Sequence, residues 1–292
     1  MSFLRRLWLL ISHIKNAVGN IVFLSIITIL FFAFFQSRGV NVQDGSALVL
    51  NPKGSIVEQK SLVNPLGSII SGNRTLEVSL QDLLTAIKDA RSDGRITLMV
   101  LDLARLGEVS IGHLEEIGIA LQEFKSSGKT IIAVGSSYTQ AQYYIASFAD
   151  EIILEGGSLN PLGGVMLTGL SIHPLYYKTL LDKLDLDFRV FAAGEYKDAV
   201  EPYLRDDMSE IARIGNQLWL DSLWETYKNT ILKNRQISSN AFHRYTNDYD
   251  QLLKESGDDP DKLALDYGFV DAVSYTHLRA HETLRYLVCR LL

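Results

Sequence analysis

Nineteen consecutive residues without a charge, Ala17–Phe35 (AVGNIVFLSIITILFFAFF), constrain this chain more than any other feature. A helix rises about 1.5 Å per residue, so this run reaches roughly 28 Å, close to the ~30 Å hydrocarbon core of a bilayer. Arg5, Arg6 and Lys15 precede it, and Trp8 suits an interfacial anchor. Basic residues on that side favour a cytoplasmic N-terminus. A cleaved signal peptide would need a shorter apolar core and a small-x-small site, but FFQSRGV follows here. A buried core helix would rarely be both this apolar and this terminal. The run is therefore expected to be an uncleaved, single-pass signal-anchor over 17–35. Residues 1–16 would then be cytoplasmic and the bulk of the chain exported.

Taken as a whole, the chain has the composition of a globular protein: 47% hydrophobic, 21% charged, 21 glycines and 6 prolines in 292 residues. A net charge of −6 argues against a dedicated nucleic-acid binder. The single cysteine, Cys289, excludes an intramolecular disulfide. Residues 36–78 read as a polar tether or loop carrying one short strand, Ala47–Asn51. Regular structure is expected from Ser79, which can cap a helix bearing Leu80, Leu83, Leu84, Ile87 and Ala90, with Asp82 in capping-box position. ITLMVLDL (96–103), TIIAV (130–134) and EIIL (151–154) are continuous apolar runs suited to strands buried on both faces. Between them lie a helix capped by Ser110 and ended near Gly128, and a helical stretch at 140–148. Strands alternating with helices define βαβ units and a parallel α/β sheet. VMLTGLSI (165–172) and DFRVFAA (187–193) read as further strands flanking a helix at 174–184. A long helix is expected from about Ser209 to Arg235, with shorter helices at 250–255 and 261–267.

Known chemical motifs are scarce. GGSLNPLGG (156–164) matches no phosphate-binding loop, and there is no GxSxG elbow. Glu115–Glu116 and Asp206–Asp207 read as solvated faces. His277 and His281 share an i,i+4 spacing, but HLRAHE is not HExxH, and no metal site is expected. One segment stands out, AAGEYKDAVEPYLRDDMS (192–209), in which Lys197 follows a strand and a Gly turn.

GEYKDAVEPYLRDDMS resembles the segment that carries the general-base lysine in the signal peptide peptidase A (protease IV) family, in its long, double-repeat form. GKTIIAVGSSYTQAQYYIASFADEI (128–152), GLSIHPLYYKTLLDKL (169–184) and DKLALDYGFVDAV (261–273) resemble the N-terminal half of that family. The likeness extends over about residues 1–273. It implies a ClpP/crotonase-like superhelical α/β fold of stacked βαβ units over 79–273, behind the N-terminal transmembrane helix. It also implies a serine endopeptidase of the inner membrane that faces the periplasm and degrades cleaved signal peptides. The implied partners are peptide substrates, the lipid bilayer and further copies in a homotetramer, with no nucleic acid and no cofactor. Lys197 takes the base role in a Ser–Lys dyad. Only a neutral lysine can deprotonate serine, so its pKa must fall from about 10.4 towards 7–8, which requires about 4 kcal/mol of desolvation or positive neighbours. Glu201 and Arg205 read as structural ion-pair members.

The chain departs from the family at the nucleophile. The family's serine lies in a C-terminal repeat that has no counterpart here. The corresponding turn in this repeat, VGSSYTQAQYYIAS, places Ala141 at the nucleophile position, and Ser136 and Ser137 read as turn formers. This polypeptide alone is therefore expected to be inactive, and a non-catalytic, membrane-anchored scaffold is the alternative reading. The tail at 274–292 has no family counterpart. It reads as a non-native, frameshift-like extension, the alternative being an amphipathic terminal helix using Leu278, Leu284, Leu287, Val288 and Leu291.

Overall fold

The computed structural model describes residues 2–35, 42–61, 76–156, 163–190, 199–274 and 288–290. It divides into two units, residues 1–41 and 42–292. The first is one helix, α1 (Ser2–Phe35), within which His13–Phe32 is long and apolar enough to cross a membrane. None of that span is buried against protein, so its apolar side chains have no protein core to enter.

The second unit is α/β, as the alternating pattern predicts. Its strands are β1 (Ser46–Leu50), β2 (Ser55–Val57), β3 (Glu77–Ser79), β4 (Ile96–Asp102), β5 (Thr130–Gly135), β6 (Glu151–Glu155), β7 (Ala272–Ser274) and β8 (Val288–Arg290). Six of them form a sheet in the order β7-β6-β5-β4-β1-β8, parallel throughout, while β2 and β3 make a small parallel pair. Its helices are α2 (Leu80–Ser92), α3 (Ile111–Ser126), α4 (Gln140–Ala146), α5 (Lys178–Lys183), α6 (Glu201–Leu204), α7 (Glu210–Arg235), α8 (Ser239–Asn247), α9 (Tyr249–Glu255) and α10 (Pro260–Asp266).

Local chemistry fixes the helix starts. The hydroxyls of Ser79, Ser110 and Ser209 accept from the N–H groups of Asp82, His113 and Ala212, satisfying donors that have no partner inside the helix. The Asp82 carboxylate turns outward to Lys60 at 3.2 Å. Gly128 (φ +82°) takes the left-handed position after α3. Leu83 and Ile87 of α2, Leu121 and Phe124 of α3, and Leu48, Met99 and Ile131 of the sheet share one core and are 3% exposed or less. Each side chain of this kind stabilises the fold by roughly 1.5–3 kcal/mol when fully buried.

Three of the expected strands differ from the structure. The strand expected inside a tether is an inner strand of the main sheet: β1 lies between β4 and β8, with Ala47, Leu48 and Leu50 buried. The strand expected at 165–172 reduces to a single bridge, Tyr138 to Val165. Of the strand expected at 187–193, residues 187–190 carry no ladder, and 191–193 lie outside the described residues. An apolar run specifies a strand only when a neighbouring edge accepts its hydrogen bonds, and 167–176 meet no such edge among the described residues. In the tail, 275–287 and 291–292 lie outside the described residues, while the backbone of Val288–Arg290 pairs with Ala47–Val49.

Candidate functional site

Strand β5 runs into a turn at its carboxyl end, and four residues separate Gly135, which ends the strand, from Gln140, which begins α4. In parallel α/β sheets this end of the strands is where ligands are met. A capping box holds the turn: Gln142 N–H donates to Thr139 Oγ1 at 3.5 Å, and Thr139 N–H donates to Gln142 Oε1 at 2.9 Å. Gln142 is buried, and its Nε2 donates onward to the Leu106 carbonyl at 3.3 Å. The residue after the turn behaves differently. Gln140 Oε1 accepts from two successive backbone groups, Thr168 N–H (3.1 Å) and Gly169 N–H (2.9 Å), while its Nε2 donates to the Gly169 carbonyl at 3.2 Å.

Ala141, the residue aligned with the family's nucleophile, turns its methyl group against the core. Thr139, two residues earlier, has its hydroxyl engaged in the cap. Ser136 and Ser137 fall in the turn itself, as their reading as turn formers requires.

Buried tyrosines tie this turn to distant segments. Tyr138 N–H donates to the Gly164 carbonyl at 2.9 Å and its own carbonyl accepts from Met166 N–H at 2.8 Å. Tyr227 of α7 donates its hydroxyl to the Gln140 carbonyl at 2.8 Å, and its ring stacks on Trp224 at 5.2 Å. Tyr245 of α8 donates to the Val165 carbonyl at 2.9 Å, and Tyr143 to the Phe269 carbonyl at 2.7 Å. Burial pushes the phenols of Tyr138, Tyr143, Tyr227 and Tyr245 far above their ordinary range, so all four stay neutral donors.

Asp261, 4% exposed, closes the far side by accepting Gly164 N–H at 2.7 Å. Burial raises its pKa against the opposing effect of that hydrogen bond. Gly164 has φ +72°, and a Cβ there would come within 2.5 Å of the Pro260 carbonyl oxygen, so no side chain fits. A cleft of about 700 Å³ lies alongside, lined by Thr168 and Gly169, by Asp221, Trp224 and Lys228 of α7, and by Phe242 of α8.

Lys197 falls in 191–198, outside the described residues, as do His277 and His281. The residues read as its structural neighbours are engaged with backbone and surface groups. Glu201 Oε2 accepts Ser209 N–H at 3.1 Å, and Arg205 pairs with Asp207 at 3.1 Å. Asp206 and Asp207 lie on an exposed face, with Asp206 accepting from Thr179 N–H and Oγ1. Sequence reasoning missed Gln140, Asp261 and the tyrosine hydroxyls. Their partners stand 28, 97 and 80 or more residues away, beyond the reach of any local pattern.

Residues 123–284 match Peptidase family S49, and this chain belongs to that family. It is 38% identical to Protease 4 of Salmonella typhi over 282 residues, which cover 94% of this chain and 45% of that protein. It is 35% identical to Protease 4 of Haemophilus influenzae, over 79% of this chain and 38% of that protein. The chain thus spans less than half the length of these relatives. Among solved structures it is similar to an enoyl-CoA hydratase/isomerase family protein from Silicibacter pomeroyi. That likeness has a TM-score of 0.36 and 12% identity over 84% of this chain and 79% of the other, too weak to carry an argument.

Proposed function

We propose that this chain is the N-terminal part of a membrane-anchored serine endopeptidase that degrades cleaved signal peptides. In this reading it supplies Lys197 as general base to a serine carried by a following C-terminal repeat. The observation that carries the reading is the identity to two Protease 4 sequences across most of this chain but under half of theirs. The turn before α4 supports it from the other direction. Thr139 and Gln142 serve the cap, Ala141 packs on the core and Gln140 holds backbone groups, which suits a repeat that supplies structure and a groove. The basic residues ahead of the apolar run support a periplasmic location for the α/β unit, outside the inner membrane. The apolar surface left exposed along 172–219 supports assembly of the whole protein with further copies, as in a homotetramer.

The test uses the double-length protein in detergent. Lys197→Ala should abolish peptide turnover while leaving fold and membrane insertion intact. Lys197→Arg should do the same, because a guanidinium stays protonated and cannot accept the serine proton. Ala variants of Lys178 and Lys183 are the controls. Lys178 pairs with Asp182 across one helical turn, Lys183 is exposed, and both should keep near wild-type turnover. Near-normal turnover by Lys197→Arg would reject the assignment.

A further inference from the structure

The contacts of Gln140 have the form of a peptide bound to a strand edge. In an antiparallel pair, two residues exchange an N–H···O bond in each direction. The Gln140 carboxamide does this with Gly169, accepting its N–H at 2.9 Å and donating to its carbonyl at 3.2 Å. It also accepts Thr168 N–H at 3.1 Å, so one oxygen takes two successive main-chain donors. Gly169 has φ +75°, and successive N–H groups converge on one acceptor in such left-handed turns. A Cβ at Gly169 would meet nothing within 4 Å, so the glycine meets a backbone requirement and not a packing one.

The surroundings suit a chain in extended form. Apart from the Gln140 contacts, the backbone of 167–176 makes no hydrogen bond among the described residues. Such main-chain groups, though outside any strand, can pair with an added extended peptide. The cleft beside it presents Leu167, Trp224 and Phe242 as apolar wall, with Asp221, Glu225 and Lys228 on its polar side. Lys228 is neutralised by Glu225, which leaves Asp221 to disfavour an anionic ligand. A neutral carbonyl therefore suits the two donors better than a carboxylate.

We propose that the Thr168 and Gly169 N–H pair is a receptor for a main-chain carbonyl of an extended, apolar peptide, and that Gln140 is its built-in competitor. This rests on the peptidase reading above and adds a binding edge, with its internal stand-in, in a repeat that lacks the nucleophile. Because ligand and side chain compete for the same donors, removing the carboxamide strengthens binding.

The experiment uses the full chain in detergent and a fluorescent leucine-rich decapeptide, acetylated and amidated so that no terminal charge contributes. Gln140→Ala should bind it about tenfold more tightly than wild type, the factor one net hydrogen bond supplies. Gln140→Met, of similar length and without donor or acceptor, should behave alike and covers the case in which Ala loosens the turn. Hydrogen exchange gives the second readout. The Thr168 and Gly169 amides should be protected in wild type, exchange quickly in the variants, and regain protection when the peptide is added. Equal affinity of wild type and both variants, or no peptide-dependent protection at 168 and 169, overturns the proposal while leaving the peptidase reading intact. Absence of binding by all three proteins, together with absence of turnover by the double-length protein, overturns both.

Discussion

At the scale of single residues, the site is held by groups whose partners are backbone atoms, which makes their chemistry testable one at a time. Asp261 is the clearest case, because burial raises its pKa while it accepts Gly164 N–H. A carboxyl with a raised native pKa contributes its full share to stability below its unfolded value. That contribution is then lost as pH rises through the native value. Stability measured by urea unfolding should therefore fall across the weakly acidic range in wild type. In Asp261→Asn that component should be missing, since the amide does not titrate; an unchanged slope would refute the assignment. Asp93 has the opposite sign. Hydrogen bonds from Arg95 hold it down at about 2, and carbon-detected NMR should show its carboxyl returning towards the ordinary aspartate range in Arg95→Ala. Tyr227→Phe would remove the hydroxyl that satisfies the Gln140 carbonyl. The expected cost is about 0.5–1.5 kcal/mol, the net worth of one hydrogen bond, because the carbonyl keeps its partner within α4, and it is read from the same unfolding curves.

At the scale of elements, the starts of α2, α3 and α7 could be read from the sequence because the caps are local: a serine, then a donor three residues on. Ser110→Ala should accordingly cost about 1 kcal/mol in urea unfolding without moving the far-UV spectrum. The three strands β4, β5 and β6 were equally legible as continuous apolar runs. What a run cannot state is its neighbour. Ala47–Leu50 looks the same whether it lies in a tether or between β4 and β8, and 165–172 looks like a strand although only Val165 finds a bridge. Helix α8 escaped notice because it is only nine residues long and mostly polar, with Phe242 and Tyr245 its only buried residues. The turn before α4 was partly legible: its position at the end of β5 followed from the pattern, but Gln140's role depends on Thr168 and Gly169 across a segment with no periodicity. Helix α1 makes its own prediction. Replacing Val22 and Ile26 with Arg places charges in the apolar window at about 2.5–3.5 kcal/mol each, and should move the protein out of the membrane pellet. Retention in the pellet after carbonate extraction would refute a spanning role.

At the scale of the whole molecule, the apolar surface that the α/β unit leaves uncovered is the feature that asks for a partner. Leu175 is 71% exposed and Leu218 67%, and Leu180, Leu184, Leu186, Ile211, Ile214 and Trp219 are all exposed as well. Ile211, Ile214 and Leu218 fall at i, i+3 and i+7 on α7, an apolar stripe of the kind helices bury, yet α7 buries only Ala212, Tyr227 and Ile231. The segment ahead of α7 is ordered by its own aromatic stack, Tyr177 on Tyr203 at 5.9 Å and Phe188 on Tyr203 at 5.0 Å, and by Tyr177 N–H donating to the Pro202 carbonyl at 2.7 Å. A segment that holds its shape while exposing leucines is built for a protein surface. The purified full chain should therefore sediment in mild detergent as assemblies larger than one copy. The paired substitution Leu175→Glu with Leu218→Glu should shift it towards a single copy while the far-UV spectrum and the unfolding midpoint stay near wild type. The substitutions are surface changes on the folded unit, so they separate lost association from lost folding. A wild-type chain that sediments as one copy at all concentrations would show that this surface stays open to solvent, and the homotetramer would then need a different interface.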